Sequence, residues 1–182
     1  ARYQDLWESL EDLDAHAWVQ DGDSLPRSAT HRRVALGGHA SLLLDLDPRA
    51  PKQPPTCRFL GAESRVNSLR AKYFERLPRW NADKLLRANL EMVLEMQLPT
   101  ADTYDLGDIS GDCAICYAYQ LPMEDGVCVP EHACDNAACG RPYHAPCLRE
   151  WLRANTATRQ SFNTFFGACP YCLHPITVKA TD

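Results

Sequence analysis

Asp112-Cys113-Ala114-Ile115-Cys116 opens, and Cys169-Pro170-Tyr171-Cys172 closes, the stretch whose reading decides the fold. Between them stand Cys134 and Cys139, then His144 with Cys147. These are four ligand pairs. Zinc takes four sulfur or imidazole ligands at tetrahedral corners, and a two-residue gap lets one tight knuckle place two side chains on one ion. Eight ligands therefore imply two zinc ions. Cys128 and His132 precede Cys134 closely and compete with Cys134 and Cys139 for the middle places. A closed four-ligand site leaves no position for water, so the metal does no chemistry and function must come from the surface it holds. A region of this size has little core of its own, so binding worth roughly 10–16 kcal/mol per structural site supplies much of its folding free energy.

The rest of the chain limits the function classes. Of its 182 residues, 24 are acidic and 19 basic, so it lacks the positive field that broad binding to phosphate backbones needs. The local run Arg27, Arg32, Arg33 is expected to be a solvated strand edge rather than a nucleic-acid patch. The N-terminal residues carry no charged-then-apolar signal pattern, and no window reaches the ~18 apolar residues of a membrane span. The chain reads as a soluble protein, or a soluble piece of a longer one, with no membrane partner. Nine cysteines could suggest disulfides, but eight lie from Cys113 onward in close pairs with histidines among them, which points to zinc in a reducing compartment. Cys57 stands apart and reads as a small buried apolar side chain, because no histidine or carboxylate can be assigned to activate it.

Ahead of the finger the pattern is that of a layered α+β domain over residues 1–106. Leu6, Trp7, Leu10 and Leu13 recur at helical steps, with a strand expected at Ala17-Trp18-Val19 and a turn at Asp21 to Pro26. Three further strands are expected at Arg33–Leu36, Ser41–Leu46 and Cys57–Leu60, forming a small antiparallel sheet. A second helix opens at Asn81-Ala82-Asp83, carries Leu85, Leu86, Leu90, Val93 and Leu94 on one face, and ends before Pro99. Ala101 to Gly111, polar and rich in aspartate, reads as the linker to the second domain, 107–182. Trp7, Phe59 and Leu60 are expected to be core rather than binding surface.

The finger resembles RING modules, and this resemblance implies a cross-brace: one zinc on Cys113, Cys116, His144 and Cys147, the other on Cys134, Cys139, Cys169 and Cys172. In RING ligases an aliphatic residue in the first knuckle, a tryptophan on the following helix and a proline in the last knuckle form a groove for a ubiquitin-charged conjugating enzyme. Ile115, Trp151 and Pro170 match those positions, and Tyr117 joins them as a contact. Such ligases position their partner and carry no covalent intermediate, so no catalytic residue is expected.

The motifs Cys113 to Leu121, Cys134-Asp135-Asn136, Glu150-Trp151-Leu152-Arg153 and Ser161-Phe162-Asn163, with Pro26 to Thr30, Arg32 to Gly37, Asp47-Pro48-Arg49 and Phe59 to Ala62 before the finger, resemble the Fanconi anaemia complementation group L ligases. The resemblance implies an RWD-like domain, related to the ubiquitin-conjugating fold, followed by the RING. It also implies a nuclear and cytoplasmic enzyme of interstrand-crosslink repair that attaches one ubiquitin to a paired DNA-clamping substrate alongside other core-complex subunits. Leu173 and His174 follow Cys172 where many RING ligases carry an arginine or lysine. A PHD-type histone reader shares the ligand order, but usually has an aromatic residue where Gly167 stands. A scaffold that uses the finger for assembly alone is the third reading.

Overall fold

The computed structural model describes residues 2–20, 25–26, 28–102, 111–124 and 126–181. It divides into two compact units, Ala1–Phe59 with Val66–Ile109 and Leu60–Arg65 with Ser110–Asp182. No helix among the described residues is long and apolar enough to cross a membrane.

In the first unit, α1 (Arg2–His16) turns Leu6, Leu10 and Leu13 inward. It lies against α3 (Leu86–Leu94), which buries Leu86, Leu90, Val93 and Leu94. Arg87 fastens the two helices by donating to Asp12 at 3.0 Å. The sheet has the order β1 (His31–Gly37), β2 (Ala40–Asp45), β3 (Thr56–Leu60), and β1 and β2 pair antiparallel from His31↔Asp45 to Gly37↔Ala40. Gly37, Gly38 and His39 all have positive φ at the tight reversal, the conformation that glycine adopts without a Cβ clash. Phe59, 6% exposed, belongs to the core of this unit, and Leu60 is buried at 5%.

Five features of this unit depart from the sequence reading, the first being that Trp7, expected in the core, is 36% exposed on α1. The expected strand at Ala17–Val19 shrinks to one bridge, Val19↔Val34, because α1 runs on to His16; Ala35 donates to Trp18 O at 3.0 Å, so the segment still runs beside β1. The helix expected from Asn81 begins only at Leu86. Asn89, 1% exposed, holds the preceding loop open by bonding Asn81 N, Asn81 O and Lys84 O, and this leaves Leu85 at the cap, 36% exposed and off the buried face. An additional helix, α2 (Glu63–Arg76), buries Val66, Leu69 and Tyr73. Their three- and four-residue spacing carried the signal, masked by the polar residues between them. Finally, Arg32 and Arg33 are buried, at 5% and 1%, where a solvated edge was expected. Arg32 forks onto Asp14 at 2.9 and 3.1 Å, and Arg33 donates to Ser41 at 2.8 Å, which is how charge survives inside a sheet. Arg27, the turn at 21–24 and most of the expected linker lie outside the described residues.

The second unit is built around α4 (Ala145–Ala154), whose Leu148 and Leu152 are fully buried. The strands β8 (Arg159–Ser161), β9 (Thr164–Ala168) and β10 (Pro175–Lys179) form an antiparallel sheet with β9 central, and Phe165, Ile176 and Val178 face α4's core. Two short hairpins, β4 (Leu121–Met123) with β5 (Gly126–Cys128) and β6 (His132–Ala133) with β7 (Pro142–Tyr143), occupy the segment between the first and third ligand pairs.

Candidate metal centre

The first and last cysteine knuckles reverse the chain in the same way, and the longer middle one does so with a related pair of bonds. In the first, Tyr117 N donates to Cys113 O at 2.8 Å and Cys113 N to Ala118 O at 3.0 Å. In the last, Leu173 N donates to Cys169 O at 3.1 Å and Cys169 N to His174 O at 2.8 Å. In the middle one, Gly140 N donates to Asn136 O at 2.9 Å and Cys134 N to Arg141 O at 3.0 Å. In all three the residue after the second cysteine has positive φ: 58° at Tyr117, 56° at Gly140 and 61° at Leu173. Two non-glycine residues accept that strain, of the order of 1–2 kcal/mol each, to close the knuckle.

The knuckles converge in pairs. Cys113, Cys116, His144 and Cys147 form one group, and Cys134, Cys139, Cys169 and Cys172 the other, with all ligand atoms of a group within 4.8 Å of one another. A tetrahedral zinc with bonds of ~2.3 Å to sulfur and ~2.0 Å to nitrogen sets sulfurs ~3.8 Å apart and sulfur from nitrogen ~3.5 Å. Here Cys134 and Cys172 sulfurs are 3.5 Å apart, and those of Cys139 and Cys169 3.9 Å. His144 Nδ1 lies 3.4 Å from Cys116 Sγ and 3.7 Å from Cys147 Sγ. Both groups fit the ion. Cys128 and His132 belong to neither: Cys128 Sγ contacts its neighbour Val129 O at 3.7 Å, and burial lowers the His132 pKa.

The electrostatics agree. Burial, then neighbouring sulfurs, pushes the Cys147 thiol up to about 12, and burial likewise raises Cys134 and Cys139. Cys172 is drawn down to about 6, foremost by the backbone N–H of His174, and at Cys113 burial is outweighed by the backbone N–H groups of Cys116, His144 and Ile115, which draw it down as well. Four clustered thiols resist ionising together, and a dication reverses that logic. Groups outside the ligand sets orient them. His144 Nε2 donates to Tyr119 O at 2.9 Å, and His144 N donates to Cys113 Sγ at 3.4 Å. The fully buried Tyr143 hydroxyl donates to Cys169 Sγ at 3.1 Å, and its pKa is raised by burial and by that bond, so it stays a donor. Tyr119 acts through its carbonyl and left no trace in residue-type spacing, and Tyr143, which the sequence reading did not single out, had only its place directly before His144 as a signal.

Beside the first group lies an open groove of about 350 Å³ lined by Ile115, Leu121, Pro146, Cys147, Glu150 and Trp151. Trp151 is 42% exposed, so it is not plain core. The groove joins the first knuckle to one face of α4. Pro170 is half-buried in the last knuckle and Tyr117 is exposed; neither lines the groove, and Leu121 and Pro146 take part without having been singled out. At Gly167 an added Cβ would stand 2.6 Å from Leu152 Cδ2 and 2.9 Å from Thr158 Oγ1, so the PHD-type aromatic residue has no room.

Family models match almost the whole chain: one described as FANCL UBC-like domain 3 over residues 5–101, and one described as FANCL C-terminal domain over residues 109–181. The chain belongs to the FANCL family. It is similar to the E3 ubiquitin-protein ligase FANCL of Mus musculus, 42% identical over 174 residues, covering 96% of this chain and 45% of that protein. It is also similar to the E3 ubiquitin-protein ligase Fancl of Drosophila melanogaster, 30% identical over 175 residues, covering 92% of this chain and 45% of that one. A solved structure described as "Crystal Structure of FANCL" superposes with a TM-score of 0.64 at 26% identity over 95% of this chain and 49% of that one. This chain thus spans about half the length of its FANCL relatives, and its architecture is a UBC-like domain followed by the FANCL C-terminal RING-type domain.

Proposed function

We propose that this chain is the conjugating-enzyme-engaging part of an E3 ubiquitin ligase. Two structural zinc ions, one on Cys113, Cys116, His144 and Cys147 and one on Cys134, Cys139, Cys169 and Cys172, rigidify the second unit. The observation that carries the reading is the groove in which Ile115 and Trp151 meet on a first knuckle and a helix braced by those ligand groups. Relatives named E3 ubiquitin-protein ligases support it.

An apolar aromatic cluster on rigid loops is the physical form of a binding hot spot. A ubiquitin-conjugating enzyme charged with ubiquitin docks there. Closed four-ligand sites give zinc no open position, so the ion supplies only rigidity. Ile115 and Trp151 bind, Tyr117 and Pro170 flank them, and the thioester is brought to an acceptor amine by positioning alone. Leu173, 75% exposed where many RING ligases place a cation, suits transfer of a single ubiquitin rather than chain building. The UBC-like domain binds the substrate. By family, that substrate is the paired DNA-clamping protein of the Fanconi anaemia pathway, modified in the nucleus, with a cytoplasmic pool, beside other core-complex subunits.

The test is reconstituted ubiquitination with a panel of conjugating enzymes, with and without chelator, alongside titration with histone peptides. Transfer with at least one enzyme that chelation abolishes is expected. Binding to histone peptides alone, with no transfer, would replace ligase by reader.

A further inference from the structure

Tyr171 sits inside the last knuckle, yet its hydroxyl reaches the first one. It donates to Ala114 O at 3.0 Å, the carbonyl preceding Ile115. The Tyr171 hydroxyl oxygen also lies 3.2 Å from the Tyr117 hydroxyl. A phenol has one proton. With that proton on Ala114 O, the Tyr117 hydroxyl must donate to Tyr171, so the relay runs from Tyr117 to Tyr171 to Ala114. Its direction leaves Tyr117 only lone pairs to present outward. The guanidinium of Arg141, just after the middle knuckle, lies 4.1 Å over the Tyr171 ring and fixes its plane. One side chain therefore ties together segments from all three cysteine knuckles.

Tyr117 is 75% exposed and has φ of 58°, a conformation uncommon for a bulky residue. The positive φ closes the first knuckle, but the exposure of the ring does nothing for the fold. An exposed ring held at a strained backbone position and hydrogen-bonded at its tip is preorganised for contact. Tyr171, 44% exposed, is neither a ligand nor part of the groove lining.

We propose that Tyr171 is a positioning residue: it presets Ile115 through Ala114 and Tyr117 through their shared hydroxyl, so the conjugating enzyme meets a finished surface in which Tyr117 acts as acceptor. The inference rests on the groove being the docking site for that enzyme. Preorganisation of this kind adds affinity by removing ordering costs from the binding step.

The experiment titrates a conjugating enzyme that the wild-type chain discharges against wild type, Tyr171→Phe, Tyr117→Phe, the double variant and Ile115→Ala, with zinc content measured for each. Tyr171→Phe is expected to keep two zincs and to raise Kd about 5-fold, the worth of one hydrogen bond. Its discharge rate at saturation should not change. The double variant should fall short of the product of the single effects, as coupled groups do. An unchanged Kd for Tyr171→Phe, or single effects that multiply, with Ile115→Ala still weakened about 10-fold or more, overturns the positioning role and leaves the docking site standing. No effect from Ile115→Ala would instead remove the docking site itself. If Tyr171→Phe loses zinc, Tyr117→Phe decides instead, because it breaks the link at an exposed side chain: it must raise Kd with both zincs in place, and an unchanged Kd there overturns the proposal.

Discussion

His144 Nε2 lies 2.9 Å from the carbonyl oxygen of Tyr119, and this leaves Nδ1 as the nitrogen that faces Cys116 and Cys147. The tautomer of the only histidine ligand is thus set by a main-chain group. Replacing His144 by Cys keeps four ligands but strips Tyr119 O of its donor. The His144→Cys chain should still hold two zincs at saturation, with the first site about 10–100-fold weaker in competition against a chromophoric chelator. The His144→Ala chain should hold one firmly bound zinc. Equal affinity for His144→Cys and wild type would show that the Tyr119 bond does not tune the site.

Gly167 is a point of close packing between β9 and α4. An added methyl meets Leu152, which is fully buried and has no room to swing away. Gly167→Val should destabilise the second unit by about 1–3 kcal/mol, read as earlier thermal unfolding and faster zinc loss to chelator. A variant as stable as wild type would mean that α4 can shift without cost.

Arg32 is the clearest case of an ion pair inside the first unit, with its guanidinium 7% exposed and its partner Asp14 at 39%. It also donates to Ala29 O and His31 O, each at 2.9 Å. Arg32→Ala should cost about 3 kcal/mol in chemical unfolding, because it orphans three acceptors beside the sheet, while Asp14→Asn, at a half-exposed position, should cost about 1 kcal/mol. Equal small costs would place Arg32 on the surface after all.

Cys57 packs against the first core, and burial raises its thiol from 9.0 to about 11. The folded chain therefore holds this proton more tightly than the unfolded chain. Its stabilising contribution is complete below pH 9 and is lost as pH rises through about 11. Iodoacetamide labelling of the zinc-loaded chain, followed by peptide mapping, should show Cys57 reacting with a midpoint near 11. A midpoint near 9 would mean that the thiol is solvated.

The finger was the most legible part of the sequence because metal geometry leaves little freedom. Paired cysteines at two-residue gaps form knuckles, and the first and last knuckles here reuse one hydrogen-bond pattern. Elements resting on hydrophobic period were legible when the period was long, as in α1, and lost when three apolar residues were spread over a polar helix, as in α2. Burial of Arg32 and Arg33 was not legible, because charge normally marks a surface and the compensating Asp14 and Ser41 are distant or unremarkable in sequence. The groove was half legible. Ile115 and Trp151 meet as their positions suggested, but Pro170 stands outside the lining, and Pro146 takes a place that depends on how α4 begins.

In the proposed function, two braced metal groups hold an apolar groove open for a charged conjugating enzyme. Single-turnover release of ubiquitin from that enzyme by the Ile115→Asp chain, in samples shown to contain two zincs, tests it most directly. A loss of at least about 10-fold relative to wild type, with metal content unchanged, is expected. Release at the wild-type rate from a fully metallated Ile115→Asp chain would contradict it.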